Sequence, residues 1–142
     1  MFFFKKSKKG DTPANEAANG KNCYEGELVD GVRNGMGTMR FANGNTYTGQ
    51  WKNGVMHGLG EFHFASSKDY YIGKFINGNF GGLGRFHYSN GDVYEGHFLN
   101  GKLDGSGTLI KANGNRLEGN FINGKVECYV KYFYAYGKIY HG

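Results

Sequence analysis

Residues 47–60 have the sequence Tyr-Thr-Gly-Gln-Trp-Lys-Asn-Gly-Val-Met-His-Gly-Leu-Gly. At the centre is an Asn-Gly pair, which is favoured where two successive residues of a tight hairpin turn need positive φ. The residues on both sides of the pair include aromatic and aliphatic side chains that suit β-strands. The segment therefore predicts a two-stranded antiparallel hairpin.

The same pattern recurs along the chain every 23 or 24 residues. Its first position is occupied by Tyr24, Tyr47, Tyr71, Tyr94, Leu117 and Tyr140. A fixed period of this length is typical of repeat proteins. The predicted units are residues 24–46, 47–70, 71–93, 94–116 and 117–139, and residues 140–142 begin a partial sixth.

Glycine follows the same period. With the first residue of a unit counted as position 0, glycine recurs at +2, +7, +11, +13 and +20, which accounts for 23 of the 26 glycines. If the first loop has two residues, position +2 is expected opposite +11 and position 0 opposite +13. Aromatic rings would then lie across bare glycine backbone.

A second turn signal, Ala/Ser-Asn-Gly, lies near the end of the unit, as at Asn43-Gly44. Because strand side chains alternate with period two, the motif tyrosines share one face only if each unit contains a bulge or an odd-length loop. We expect a three-residue loop at this second turn, with its glycine in the left-handed region.

Residues 47–60 resemble the MORN motif (membrane occupation and recognition nexus). The first, third and fourth units match it nearly as well, with Leu28, Phe75 and Phe98 in place of Trp51. The resemblance implies an all-β fold: an elongated, single-layer antiparallel β-meander of five hairpin repeats, or about ten strands, twisted into a rod. Members of this family commonly act as scaffolds, bind partner peptides or dimerise, and phospholipid binding is often proposed for them.

The fifth unit departs from the motif at three positions. Leu117 replaces the tyrosine, and Cys128 and Val130 replace the glycines at +11 and +13. We expect these side chains to obstruct the space that aromatic rings use in the other units. The fifth unit would then be a cap or a different contact surface.

A single-layer sheet has no second layer to cover its aromatic side chains, so the sequence predicts an accessible aromatic face that binds an amphipathic helix or an extended peptide. The alternative is that the rings bury one another as the only core. The predicted partner-binding residues are Tyr24, Tyr47, Trp51, Tyr71, Phe75, Tyr94, Phe98 and Phe121. The open edges of the terminal strands also favour a homodimer that would cover them.

Residues 1–23 are predicted to form a disordered tail that is aromatic and basic at first and polar thereafter. Its predicted membrane-contact residues are Phe2, Phe3, Phe4, Lys5, Lys6, Lys8 and Lys9. Rings at a bilayer interface beside lysines would bind anionic phospholipid, whereas the alternative is a solubilising tail. Residues 1–9 hold four lysines and no acid, so the other 133 residues carry 13 basic and 12 acidic side chains. This balance argues against nucleic-acid binding.

The sequence predicts no catalytic residue, cofactor or metal ligand. Glycine-rich segments such as Gly105-Ser106-Gly107 precede no helix, which nucleophile and phosphate loops require. His63 and His87 are expected ~10 Å apart, too far to share one zinc ion. We therefore expect a cytoplasmic, non-catalytic scaffold for a protein partner, with peripheral membrane or cytoskeletal association. The second interpretation is the regulatory repeat module of a larger enzyme, such as a lipid kinase.

Overall fold

A computed structural model describes residues 21–135 and 139–141, which form one open sheet of eleven strands. The strands are β1 (Cys23–Val29), β2 (Val32–Arg40), β3 (Thr46–Lys52), β4 (Val55–His63), β5 (Tyr70–Ile76), β6 (Asn79–His87), β7 (Val93–Leu99), β8 (Lys102–Ile110), β9 (Arg116–Ile122), β10 (Lys125–Phe133) and β11 (Ile139–His141). Each strand pairs antiparallel with the next one in the chain. The predicted antiparallel meander is confirmed. Within the described residues there is no helix that could span a membrane.

The first turn of each unit is the predicted two-residue hairpin loop. In the first unit Val29 pairs with Val32, and the two residues between them, Asp30 and Gly31, have φ of 51° and 79°. The corresponding Asn-Gly pairs of the other four units also have positive φ at both positions. The short polar side chain and the glycine tolerate this conformation, which explains why these dipeptides recur at one position.

The second turn also agrees with its prediction. The Phe41 amide donates to the Asn45 carbonyl, and the Gly44 amide donates to the Phe41 carbonyl, each at 2.8 Å. These bonds enclose a three-residue loop in which Gly44 has φ of 95°. In the second unit the loop from Phe64 to Asp69 contains one extra residue, and Lys68 takes the left-handed position. Because the turn itself absorbs this residue, the strand register is unchanged.

The predicted register within each hairpin is wrong by two residues. Tyr24 lies opposite Met39 and Gly26 opposite Gly37, so position 0 faces +15 and position +2 faces +13. The cause is a bulge near Gly35, the glycine at +11, whose φ is 89°. A shift of two residues preserves the alternation of faces, and the tyrosines therefore still share one side of the sheet.

The bulge aligns glycines into a row that crosses the sheet. Gly49, for example, lies opposite Gly37 on one side and Gly60 on the other. A Cβ atom added at Gly60 would collide with the Tyr47 ring, and the Tyr47 hydroxyl donates to the Gln50 carbonyl at 2.7 Å. The glycines are required because each tyrosine ring occupies the space that a side chain would fill.

Adjacent units are also joined at their second turns. The residue two positions before position 0 of each unit is an asparagine or an aspartate. Its side-chain oxygen accepts a hydrogen bond from a backbone amide in the second turn of that unit. Asn45, for example, accepts from the Ala65 amide at 2.8 Å. The same bond recurs at Asn22–Ala42, Asp69–Ser89, Asp92–Ala112 and Asn115–Ala135. Each unit is therefore fixed mainly by its sequence neighbours, as in other repeat proteins.

We predict that Gly84→Ala destabilises the protein by about 3 kcal/mol, because the new methyl group would overlap the Tyr71 ring. The matched control is Gly78→Ala in the same unit, which has φ of 88° but no atom within 4 Å of the new Cβ. Backbone strain alone should cost the control about 1 kcal/mol. Urea unfolding of both variants measures the difference. Equal losses would show that ring packing does not require the glycine row.

Candidate functional site: an aromatic groove

The two faces of the sheet differ in composition. We call the side that carries the motif tyrosines and the glycine row the ring face, and the other side the open face. On the ring face, the aromatic residues at +4 lie beside the tyrosines and are also buried, whereas Leu28 at +4 of the first unit is half-buried. On the open face the alternating side chains are mostly exposed, as the pattern of Thr46–Lys52 shows. The sheet therefore has a one-sided core.

All eight predicted partner-binding residues lie together on the ring face and have exposures of 0–6%. They pack edge to face along the sheet: the Tyr47 ring centroid lies 5.1 Å from Trp51 and 4.8 Å from Phe75. Tyr71 makes the same kind of contact with Phe98 at 5.0 Å. These rings form the hydrophobic core. Their role in partner binding stays a prediction, and a partner would first meet the side chains around them.

Those surrounding side chains form a groove on the ring face. The structure contains a cavity of about 370 Å³ there, lined by Phe41, Asn43, Asn45, Met56, Phe62, Phe64, Phe75, Gly78, Asn79, Phe80 and Gly101. Four of its phenylalanines are only half-buried, and their rings contact one another: Phe62 lies 5.8 Å from Phe41, 4.8 Å from Phe64 and 6.3 Å from Phe80. We call this site the aromatic groove.

The aromatic groove is centred on the second and third units, with further lining residues from the first and fourth, and uses residues that the sequence analysis missed. Phe62 and Phe64 stand at +15 and +17, and Phe86 and Tyr88 repeat this spacing in the next unit. The period-two pattern Phe-His-Phe was a usable signal for a strand with one aromatic face. Without the bulge, however, position +15 was not expected beside the tyrosines.

The aromatic groove is uncharged, whereas the parts of the ring face beyond it carry charges. Within the described residues, no charged side chain lines the cavity. Towards β1, the Arg33 guanidinium lies 5.1 Å from the Trp51 ring centroid and donates to the Gly54 carbonyl at 2.8 Å. Towards β8, Lys111 forms an ion pair with Asp92 at 2.9 Å. The site therefore favours an apolar ligand segment.

The tyrosine hydroxyls of the ring face stay protonated. Burial raises the pKa of Tyr94 to about 12 and also raises the pKa values of Tyr47 and Tyr71. These hydroxyls therefore remain neutral near pH 7 and act as hydrogen-bond donors to the backbone.

On the open face, Tyr70 stacks between His63 and His87, with centroid distances of 5.0 and 4.3 Å. In the described part of the chain, no three His, Cys, Asp or Glu side chains are grouped to hold a metal ion.

Two predictions concern other parts of the chain. The predicted membrane-contact residues, Phe2 to Lys9, lie outside the described residues. In the fifth unit, Val130 lies opposite Gly119 at the end of the glycine row, and Leu117 lies opposite both Leu109 and Tyr132. In the fifth unit the aromatic ring at +4 is kept by Phe121, which packs 5.1 Å from Tyr94, whereas the ring at position 0 is lost.

Comparison with known proteins gives a family and a fold. A family model described as MORN repeat matches residues 24–46, 47–68, 71–93 and 94–116. A search of curated protein sequences found no match. Among solved structures, the TCP domain of SAS-4 (dCPAP) from Drosophila melanogaster, in complex with a proline-rich motif of Ana2 (dSTIL), is similar with a TM-score of 0.57 and 15% identity. The alignment covers 84% of this chain and 64% of that one.

We predict that Asp92→Asn lowers the free energy of unfolding at pH 7 by about 1 kcal/mol. Two hydrogen bonds lower the pKa of Asp92 in the folded state. The larger effect comes from the Lys111 ammonium and the smaller one from the Ala112 amide. The ionised carboxylate therefore stabilises the fold above its unfolded pKa of about 3.9, and this contribution is lost as the pH falls through the lower folded pKa. Urea unfolding of wild type and variant at pH 7 and pH 2.5 measures this difference.

Asparagine already occupies the position of Asp92 in other units, at Asn45 and Asn115, and accepts the same amide bond there. The substitution should therefore remove the charge interaction and keep the turn. A stability difference that is as large at pH 2.5 as at pH 7 would contradict this account.

Proposed function

The chain belongs to the MORN repeat family, and from that premise we propose that it is a non-catalytic interaction module that binds an apolar segment of a protein partner in its aromatic groove. One observation carries the proposal: half-buried phenylalanine rings surround an uncharged cavity of about 370 Å³ on the ring face. Concave, mostly apolar sites with a few polar groups at the margin are the usual form of ligand sites. The asparagines Asn43 and Asn45 supply such groups here.

The aromatic groove best fits a segment that inserts one or two apolar side chains between the rings. An extended peptide or one face of an amphipathic helix would present such side chains. Proline is a suitable residue because its ring packs on aromatic side chains and its chain segment is already stiff. The fold similarity to a TCP domain described in complex with a proline-rich motif supports proline-rich peptides as the first probes.

We predict that Met56→Arg weakens binding of such peptides at least tenfold while the sheet stays folded. Met56 lines the cavity at position +9, and the first unit already holds Arg33 at this position, with its guanidinium over Trp51 and bonded to Gly54. The repeat geometry therefore accommodates arginine. A bound apolar segment would remove the introduced guanidinium from water, and burying an unpaired charge is unfavourable.

The test uses peptides selected on the wild-type protein from a displayed library that contains proline-rich and helix-forming members. Isothermal titration then compares wild type, Met56→Arg and the matched control Ile122→Arg, which changes an exposed open-face residue on β9. The control should bind as wild type does. Selection of no peptide, or equal binding by Met56→Arg, would overturn the aromatic groove as the site.

We also propose that residues 1–9 hold the protein peripherally at the cytoplasmic surface of an anionic membrane. Three consecutive phenylalanines beside four lysines support this proposal. Rings of this kind insert at the bilayer interface, and each nearby lysine contributes about 1 kcal/mol on an anionic surface. The repeat array would then be held near the membrane.

We predict that residues 1–142 co-sediment with liposomes containing phosphatidylserine and that residues 10–142 do not. Neutral phosphatidylcholine liposomes serve as the control, and added salt should weaken the binding because the lysine contribution is screened. Equal binding by both proteins would place the lipid site on the sheet. Binding by neither protein would refute membrane association through the tail.

A further inference from the structure

Phe80 differs in kind from the residues that other units have at its motif position. It stands at +9, next to the first turn, and the other units hold non-aromatic side chains there: Arg33, Met56, Leu103 and Val126. Residues that the fold requires recur from unit to unit, as the motif tyrosines and glycines do. A side chain that departs from this pattern on the ring face is therefore a candidate for determining what the face binds.

The Phe80 ring crosses the ring face. It stacks on the Tyr71 ring, with 3.9 Å between the centroids and 12° between the planes. On its far side it meets Phe62 and Phe64, whose ring centroids are each 6.3 Å away. Aromatic rings at this separation are in contact, so no chain segment fits between them. Phe80 therefore connects the two margins of the ring face above the central tyrosine. We call this closure the Phe80 bridge.

The cavity of the aromatic groove ends at the Phe80 bridge. Its lining residues belong to the first three units, apart from Gly101 in the first turn of the fourth. Beyond the bridge, Phe86 and Tyr88 repeat positions +15 and +17 and are also half-buried. Among the described residues that line the cavity, however, neither of these two occurs. The bridge thus separates the cavity from the part of the ring face that continues over the fourth unit.

Two asparagines at the margin of the cavity favour an extended ligand. The side-chain oxygens of Asn43 and Asn45 accept hydrogen bonds from the backbone amides of Asn45 and Ala65. Within residues 21–135, the side-chain NH₂ groups of these two asparagines donate to no protein atom. Backbone carbonyls of an extended segment can accept from such groups. Those of a helix interior are already bonded within the helix.

We propose that Phe80 determines the specificity of the aromatic groove: the groove binds a short, extended apolar segment that ends against the Phe80 ring, and it excludes a helix that runs along the ring face. A helix with its side chains is ~10 Å wide. A helix several turns long would need an open trough over neighbouring units, which the Phe80 bridge interrupts. The inference rests on the proposed function of the groove and adds which kind of segment it binds.

The test removes the Phe80 bridge with Phe80→Leu. Leucine occupies +9 in the fourth unit, as Leu103, so the repeat accommodates it. The matched control is Phe86→Leu, which removes a half-buried ring from the same strand and places leucine where the fourth unit has Leu109. Phe86 touches the Phe80 ring at 6.0 Å but lies outside the cavity. Displayed libraries of six-residue and eighteen-residue peptides are selected on wild type and on both variants.

Isothermal titration of each selected peptide, whole and truncated to its best six residues, gives the result. On wild type, truncation of eighteen-residue peptides should change the dissociation constant less than threefold. Phe80→Leu should select eighteen-residue peptides with apolar residues at i, i+3, i+4 and i+7. These peptides should lose at least tenfold in affinity on truncation and bind wild type at least tenfold more weakly. Phe86→Leu should behave as wild type does.

Circular dichroism checks that each variant is folded. If Phe80→Leu is unfolded, Phe80→Met takes its place, because methionine occupies +9 in the second unit. The inference is overturned, with the groove kept as a binding site, if wild type selects helical peptides that need their full length or if removing the bridge leaves the selected peptides unchanged. If no library yields a peptide on any of the proteins, the proposed function itself fails and this inference fails with it.

Discussion

The rest of the fold depends on the contact between a tyrosine ring and bare glycine backbone. A single-layer sheet has no second layer to shield its side chains, yet Tyr47, Tyr71 and Tyr94 are fully buried. Burial is possible because each ring lies flat over the glycine row and its hydroxyl bonds to the backbone near the bulge. The ring then contacts the aromatic residues at +4 edge to face, and Phe80 additionally stacks on Tyr71 at 3.9 Å. In the first four units, glycine, bulge and tyrosine are therefore parts of one arrangement.

This arrangement explains which features the sequence could predict. The hairpin turns depend on local chemistry, because Asn-Gly pairs favour successive positive φ angles, and both loop lengths followed from these pairs and from the need for one aromatic face. The pairing of residues between the two strands of a hairpin could not be predicted in this way. The bulge near position +11 is a property of the paired strands, and it also forms in the fifth unit, where Leu117 has no hydroxyl and Cys128 replaces the glycine. The sequence analysis had placed the glycine at +11 directly opposite position +2.

The same two-residue shift decided how much of the candidate site could be predicted. The sequence identified the eight ring-face residues that form the core, but it missed Phe62, Phe64 and Phe80, which surround the cavity. Those residues become neighbours only when the bulge is included. The local pattern of turn and strand residues predicted the repeat, whereas the aromatic groove depends on side chains that differ between repeats.

The end of the glycine row at the fifth unit also has a consequence for how the sheet unfolds. Leu117 has no hydroxyl to bond the backbone of β9, and Val130 fills the place of a glycine on β10. The main contacts join consecutive strands, so the energy lost at one end is not compensated from elsewhere in the sheet. We expect fraying to start at this end and to move inward one hairpin at a time, so that amide protons of β9 and β10 exchange with solvent before those of β4 to β6.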